Sequence, residues 1–349
     1  MVNYLDSRRI AGTTAERSSV PIPATQGGWV ELGRTTLGSA GDTISVDSLS
    51  DKRYYMVLTD FVNSGQIIDV LRLNNDSGSN YTRRANTDGT GEGTGTSATS
   101  LLNYGAVITD SVFAVNFLAN LSTNEKLQIN HAVRPVSAGA ATAPSRRENV
   151  GKWANTSSAI NRIDGINLGT GDFASGSEVV VLGWDPSDTH TTNFWEELAD
   201  VTASGSSSNL SSGTITAKKY LWIQVYGKSS GNFLSRLTFN NDSGANYAER
   251  QSKNGTTDVT STSVNYVNCG NGDDGAYHFI NMFVINNSAN EKLGIIHSIN
   301  TTAGAGNAPN RREVVFKWAN TSNQITEIDF DTNTGNYDSV SFLKVWGSD

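Results

Sequence analysis

Along most of this chain apolar side chains recur at every second position, in short runs broken by Gly, Asn, Ser and Asp, which is the signature of half-buried β-strands. Leu71 and Leu73 alternate with Arg72, and Leu237 and Phe239 alternate with Thr238. Leu127-Ile129-His131-Val133 and Leu293-Ile295-His297-Ile299 share one phase, so both histidines sit among core-type neighbours. The most apolar stretches, Tyr54 to Val62, Val112 to Leu118, Tyr220 to Tyr226 and Phe279 to Ile285, predict central strands. Asn63-Ser64-Gly65 and Ser229-Ser230-Gly231 read as hairpin turns leading into Ile67 to Leu73 and Phe233 to Phe239. Edge-like strands are predicted at Tyr81 to Ala85 and Tyr247 to Gln251, further ones near Ile160 to Ile163 and Ile325 to Ile328, and closing ones ending at Gly183 and Gly347.

The pattern is written twice. Arg146-Arg147-Glu148-Asn149-Val150-Gly151-Lys152-Trp153-Ala154-Asn155-Thr156-Ser157 returns as Arg311-Arg312-Glu313-Val314-Val315-Phe316-Lys317-Trp318-Ala319-Asn320-Thr321-Ser322, an offset of 311 minus 146, or 165 residues. Leu73-Asn74-Asn75-Asp76-Ser77-Gly78 answers Phe239-Asn240-Asn241-Asp242-Ser243-Gly244, and Glu125-Lys126-Leu127 answers Glu291-Lys292-Leu293. Trp195-Glu196-Glu197-Leu198 looks locally helical, but its counterpart Trp29-Val30-Glu31-Leu32 looks extended, and reading the copies together gives strand in both. So long a period, against roughly 20 to 50 residues for solenoid repeats, predicts units that each bury their own core. The expected fold is all-β: two tandem homologous antiparallel β-sandwich domains of jelly-roll type, residues 29–188 and 189–349, behind an extended N-terminal arm, residues 1–28.

Composition narrows the function. Charged residues are only 17% of the chain and the net charge is -8, which argues against a nucleic-acid-binding face. One cysteine, Cys269, can form no disulfide within the chain. No apolar run approaches a membrane span and no signal-peptide core opens the chain, so assembly in a cytoplasm is expected. The arm carries Arg8, Arg9, Arg17, Pro21 and Pro23, outside the repeat, and suits a segment that becomes ordered on a partner.

Candidate chemistry is thin. Asp76 and Asp242 offer hard oxygens for calcium, yet one carboxylate per motif fits an Asx turn before glycine better. His131 and His297 form the repeated histidine pair, with no ligand spacing beside them in sequence. Gly227-Lys228-Ser229-Ser230-Gly231 matches a hydrolase pattern that needs a strand followed by a helix, whereas here it falls in a predicted turn. Glu148 and Glu313 lack a second carboxylate in register for glycoside cleavage, and with the neighbouring arginines they read as a surface ion-pair patch. Trp153 and Trp318 either fill the core or, if exposed, suggest sugar stacking or a protein interface. No catalytic residue, metal or cofactor is expected. The candidate interface residues are Arg8, Arg9, Arg17, Arg146, Arg147, Arg311 and Arg312.

The phrases Asn-Asn-Asp-Ser-Gly-x-Asn-Tyr, Glu-Lys-Leu and Arg-Arg-Glu-x-Val-x-Lys-Trp-Ala-Asn-Thr-Ser, with the closing Phe173 to Gly183 segment, resemble repeated β-domains in structural proteins of environmental tailed bacteriophages. The resemblance runs from about Trp29 onward and implies a virion component without enzyme activity, such as a capsid decoration or cement protein. Its implied partners are the major capsid protein or other virion proteins and further copies of itself, with a trimer presenting six similar sandwiches; neither nucleic acid nor membrane is expected. The alternatives are a tail-fibre or adhesin module binding surface glycans and a double jelly-roll capsid subunit. In the second copy Ser339-Val340-Ser341-Phe342 replaces the Gly-Ser-Glu-Val wording, so its last strand is expected to pack differently.

Overall fold

The computed structural model describes residues 28–188, 192–231, 233–272, 276–301 and 304–349, with the backbone of two paired two-residue strands, Tyr4–Leu5 and Arg8–Arg9. The rest of the expected arm lies outside the described residues, as does Arg17. Every regular element described is a β-strand, and the paired strands are antiparallel.

In the N-terminal half an eight-stranded sheet runs in the order Val30–Thr36, Glu178–Trp184, Tyr54–Phe61, Val112–Ala119, Lys126–Arg134, Ser145–Trp153, Tyr81–Thr87, Glu92–Ala98. Facing it is a four-stranded sheet, Leu101–Leu102, Asp69–Leu73, Ile163–Asn167, Thr43–Val46. The C-terminal half has a large sheet in the order Glu196–Thr202, Phe342–Ser348, Tyr220–Ser230, Tyr277–Ile285, Lys292–Thr301, Asn310–Trp318, Tyr247–Lys253, Val259–Val264. Its smaller sheet is Val267–Gly272, Phe233–Phe239, Ile328–Thr332, Asn209–Ser211. Strand for strand the two orders correspond, and each pair of sheets encloses an apolar layer in sandwich fashion.

Strand phase explains the enclosed layers. Leu71, Leu73, Val57 and Trp153 point into one, and Leu237, Phe239, Ile223 and Trp318 into the other, while Arg72 and Thr238 point away. Glu196–Thr202 is a strand, as the paired reading of the two copies requires.

Three expectations need correction. Tyr54–Phe61 and Asp69–Leu73 are not a hairpin: the first pairs with Val112–Ala119 and Glu178–Trp184 in the large sheet, the second with Ile163–Asn167 and Leu101–Leu102 in the small one. The chain crosses between layers at the Gly65 turn, because both strands bury apolar side chains against each other across the core. Tyr220–Ser230 and Phe233–Phe239 do the same. The late strands begin at Ile163 and Ile328 instead of ending there, and Ile160 and Ile325 are buried just before them. Tyr81–Thr87 and Tyr247–Lys253 are not edge strands, since Glu92–Ala98 and Val259–Val264 cover them.

The Leu127-Ile129-His131-Val133 phase also points elsewhere than expected. It faces away from the sandwich interior, as Leu293, Ile295 and His297 do, because both faces of each large sheet carry apolar residues. The outer faces of the two large sheets meet in a third apolar layer containing Met56, Phe113, Val133, Tyr220, Leu293 and Ile295. Each such side chain removed from water contributes about 1.5–3 kcal/mol to joining the halves.

Candidate functional site at the junction between the halves

The repeated phrases first settle what Asp76 and Asp242 do. Asn74 and Asn75 adopt positive φ, as do Asn240 and Asn241, which asparagine tolerates, so the chain turns back sharply after each inner strand. Asp76 then accepts Gly78 N at 2.8 Å, Asn80 Nδ2 at 2.9 Å and the buried Trp153 Nε1 at 2.7 Å. Asp242 repeats this with Gly244 N at 2.9 Å, Asn246 Nδ2 at 2.9 Å and Trp318 Nε1 at 2.7 Å. Burial would raise both carboxyl pKa values, but the indole, amide and backbone donors outweigh it and hold them below the ordinary value. The same words bring a lysine beneath each indole: Lys126 Nζ reaches Asn155 O at 2.9 Å and Lys292 Nζ reaches Asn320 O at 2.8 Å. The phrases that carry the family resemblance therefore build one structural knot per half, and its carboxylates are occupied.

The arrangement richest in ionisable groups lies between the halves. His131, on Lys126–Arg134, pairs across its sheet with Glu148, and His297, on Lys292–Thr301, pairs with Glu313. Facing the sheets together brings the two imidazoles to 4.1 Å, edge to face. Glu148 Oε1 stands 3.9 Å from His131 Nδ1, 3.8 Å from His297 Nε2 and 2.8 Å from Arg146 Nη1. Arg146, a candidate interface residue, also reaches Glu313 at 3.1 Å and donates to Asp258 Oδ1 at 2.9 Å.

Burial first, then the neighbouring His297 ring, push the His131 pKa down to about 3, so the ring is neutral at physiological pH. Burial works the other way on Glu148, yet the His297 ring and the Arg146 guanidinium override it and hold the carboxylate ionised. Glu313 is raised by burial and by the nearby Glu148.

His131, Glu148 and His297 place three ligand atoms within 4.8 Å of one another, a nitrogen and oxygen set of the kind zinc accepts. Two features weigh against that use. Arg146 already holds Glu148 through a charge-assisted contact, and the enclosed space leaves no room for a water molecule. What the arrangement does is pin one half to the other: one guanidinium bridges Glu148 from its own half to Glu313 and Asp258 from the other.

The remaining candidates fall elsewhere. Arg146, Arg147 and Glu148 do not form an exposed patch, since Arg146 is buried in the junction and Arg147 lies over the Tyr104 ring. Arg311 is exposed beside Glu313, whereas Arg312 is buried within the C-terminal half and donates to Gln251 at 2.7 Å. Arg8 and Arg9 are described only in their backbone. Ser229 lies inside the Tyr220–Ser230 strand, without the helix that a nucleophile elbow requires. Trp153 and Trp318 are buried. Sequence reasoning missed that Glu148 joins both histidines and that Asp258 holds Arg146; cross-strand register would have found the first of these, His131 opposite Glu148.

A concave surface lies on the outer face of the N-terminal half, a groove of about 950 Å³ whose walls include Trp29, Tyr54, Phe117, Ile129, Val150 and Trp184. It is mostly apolar, and all the residues lining it belong to that half.

No family model and no curated protein matches the chain. Among solved structures, the crystal structure of Neisserial surface protein A (NspA) aligns with 81% of this chain and 99% of that one, at 6% identity and a TM-score of 0.12, which carries no argument about fold or function.

Proposed function

We propose that the chain is a non-enzymatic structural protein: two tandem jelly-roll-like sandwich domains, residues 29–188 and 189–349, behind an arm of residues 1–28, placed on the outside of a virus particle as a decoration or cement subunit. The observation that carries this reading is the outer face of the large sheets. In an ordinary sandwich that face is polar, but here it is apolar in both halves; part of it seals the junction and part stays exposed. Such faces suit broad protein contact. The phage-like phrases Asn-Asn-Asp-Ser-Gly and Lys-Trp-Ala-Asn support the particle itself, with the major capsid protein as the partner.

A glycan-binding fibre module would call for exposed aromatic rings in both halves. The position matching Trp184 in the C-terminal half is Ser348, and the exposed Phe279 matches the buried Phe113, so the exposed rings of the two halves do not stand at matching places. The test is to compare particles with and without this protein by negative-stain imaging and by the temperature at which they open. The expected result is loss of surface density and opening at lower temperature when it is missing. Particles unchanged in composition and stability would overturn the assignment.

A further inference from the structure

The halves do not meet through matching parts of their outer faces. The N-terminal half buries the end carrying Phe113, Val133 and Arg146; the C-terminal half buries the opposite end, carrying Tyr220, Leu293, Ile295 and Val315. Because the halves correspond strand for strand, what each leaves unused can be read off. Leu127, Ile129 and Val150 occupy the positions of Leu293, Ile295 and Val315, yet Leu127 is 54% exposed against 3% for Leu293. Conversely, Phe279 and Ile299 occupy the positions of buried Phe113 and Val133 and are 40% and 41% exposed.

The charges repeat the pattern. Within the chain, Lys317 caps the carbonyls of Pro135 and Ser137, Asp258 holds Arg146, and Arg250 donates to the carbonyl of Pro144. Their counterparts Lys152, Glu92 and Arg84 keep the same signs on the N-terminal half and are solvent-facing; the Lys152 side chain is 41% exposed against none for Lys317. Arg311, the counterpart of Arg146, is 64% exposed against 5%. Each chain thus uses one copy of a two-part contact and carries the other two parts free.

We propose that the free end of the N-terminal outer face is the docking surface for the free end of the C-terminal outer face of a second copy of this chain, repeating between chains the contact that joins the halves within one. Phe279 and Ile299 of one copy enter the apolar groove beside Ile129 and Val150 of the next, and Arg311 takes Glu92 as Arg146 takes Asp258. One pairing changes character. Asp60 and Glu178, which hold Lys219 within the chain, correspond to Tyr226 and Phe342, whose stacked rings offer a cation-π seat for Arg53, the counterpart of Lys219. The contact is head-to-tail, so it builds closed rings or open filaments instead of pairing like with like. It stands whether or not the protein belongs to a virus particle.

Sedimentation velocity of the full chain over a range of concentrations tests this, with Ile129→Asp and Ile299→Asp as probes. Both residues are exposed, and thermal melting checks that the variants fold. The wild type is expected to form species larger than a monomer as concentration rises. Each variant alone should stay monomeric, with apparent affinity weakened by roughly a hundredfold or more, since a charge is placed in a desolvated contact. Their equimolar mixture should give one-to-one dimers and nothing larger, because it retains one intact pair of complementary faces. A wild type that remains monomeric at every concentration, variants that assemble like the wild type, or a single variant that dimerises by itself would overturn the proposal.

Discussion

The two halves share one strand order but fill it differently. Between the sheets of the N-terminal half runs a ladder of buried amides: Asn149 Nδ2 donates to Asn130 Oδ1 at 2.5 Å, and Asn130 and Gln128 both donate to Asn116 Oδ1 at 2.8 Å. Asn116 Nδ2 donates onward to Asn103 Oδ1 at 3.0 Å, and Asn103 Nδ2 to Asp69 Oδ2 at 2.7 Å. At the matching places the C-terminal half has Val314, Ile296, Gly294, Met282 and Cys269, all buried or packed in an apolar core. Even the space is exchanged. Gln128 lies opposite Gly151, while Gly294 lies opposite Phe316, whose ring atoms sit 2.2 Å from where a Cβ would stand. One backbone therefore accepts either a connected polar network or a hydrophobic one, each set being chosen as a whole.

Breaking a set should cost most. Asn116→Met puts the other half's residue into the ladder alone, strands the Asn130 amide and leaves Gln128 Nε2 only the Leu102 carbonyl, a loss of about 3–5 kcal/mol in chemical denaturation. Met282→Asn, which buries an amide among Ile296 and Val314, should cost a similar amount. Exchanging all the ladder residues together, with Gly151→Phe, should recover most of the loss. If the single change costs no more than the full exchange, the ladder is not acting as a unit.

The next comparison sets Arg146 against Arg311. Arg146→Ala leaves Glu148, Glu313 and Asp258 facing one another in the junction, and about 3 kcal/mol should be lost. Arg311→Ala touches an exposed ion pair and should cost less than about 0.5 kcal/mol in the monomer. Thermal unfolding of the two variants side by side reads the difference.

A smaller effect is expected where the halves agree. Trp153→Phe and Trp318→Phe each remove one indole donor from Asp76 or Asp242 and should cost about 1.5–3 kcal/mol, equally in the two halves. A further difference is expected in pH dependence. The unfolded chain protonates His131 near the ordinary value, about 6.5, whereas the folded ring resists until about 3, so its contribution is complete above about pH 6.5 and declines as pH falls through that window. His131→Gln should flatten the stability curve there by at most about 1.4 kcal/mol per pH unit, the value for one proton. An unchanged slope would place the titrating group elsewhere.

Much of the strand pattern was legible because each copy checks the other, as when Trp29-Val-Glu-Leu corrected the helical look of Trp195-Glu-Glu-Leu. What failed were inferences about which layer a strand joins. A glycine turn after Val62 says that the chain reverses, but whether it returns beside its neighbour or across the core depends on partners far away in sequence. The direction of the Leu127 phase was lost for a similar reason: that apolar set alternates with Gln128 and Asn130, and it is these polar residues that are buried, in the ladder. The clue was in the second copy, where Leu293-Gly294-Ile295-Ile296 abandons alternation, as a strand covered on both faces does. The junction of His131, Glu148 and His297 needed the packing of one sheet on another, which local pattern does not encode.

The central claim is that the two halves present complementary outer faces and that only one such pair is satisfied within a chain. A double variant with Glu92→Cys and Arg311→Cys, treated with a short thiol-reactive cross-linker, tests it most directly, because the buried Cys269 is shielded from reaction. The account predicts a ladder of covalent multimers from the double variant, and cross-linked dimers alone from an equimolar mixture of the two single variants. Single variants that cross-link as well by themselves as in the mixture, or a double variant that stays monomeric, would contradict it.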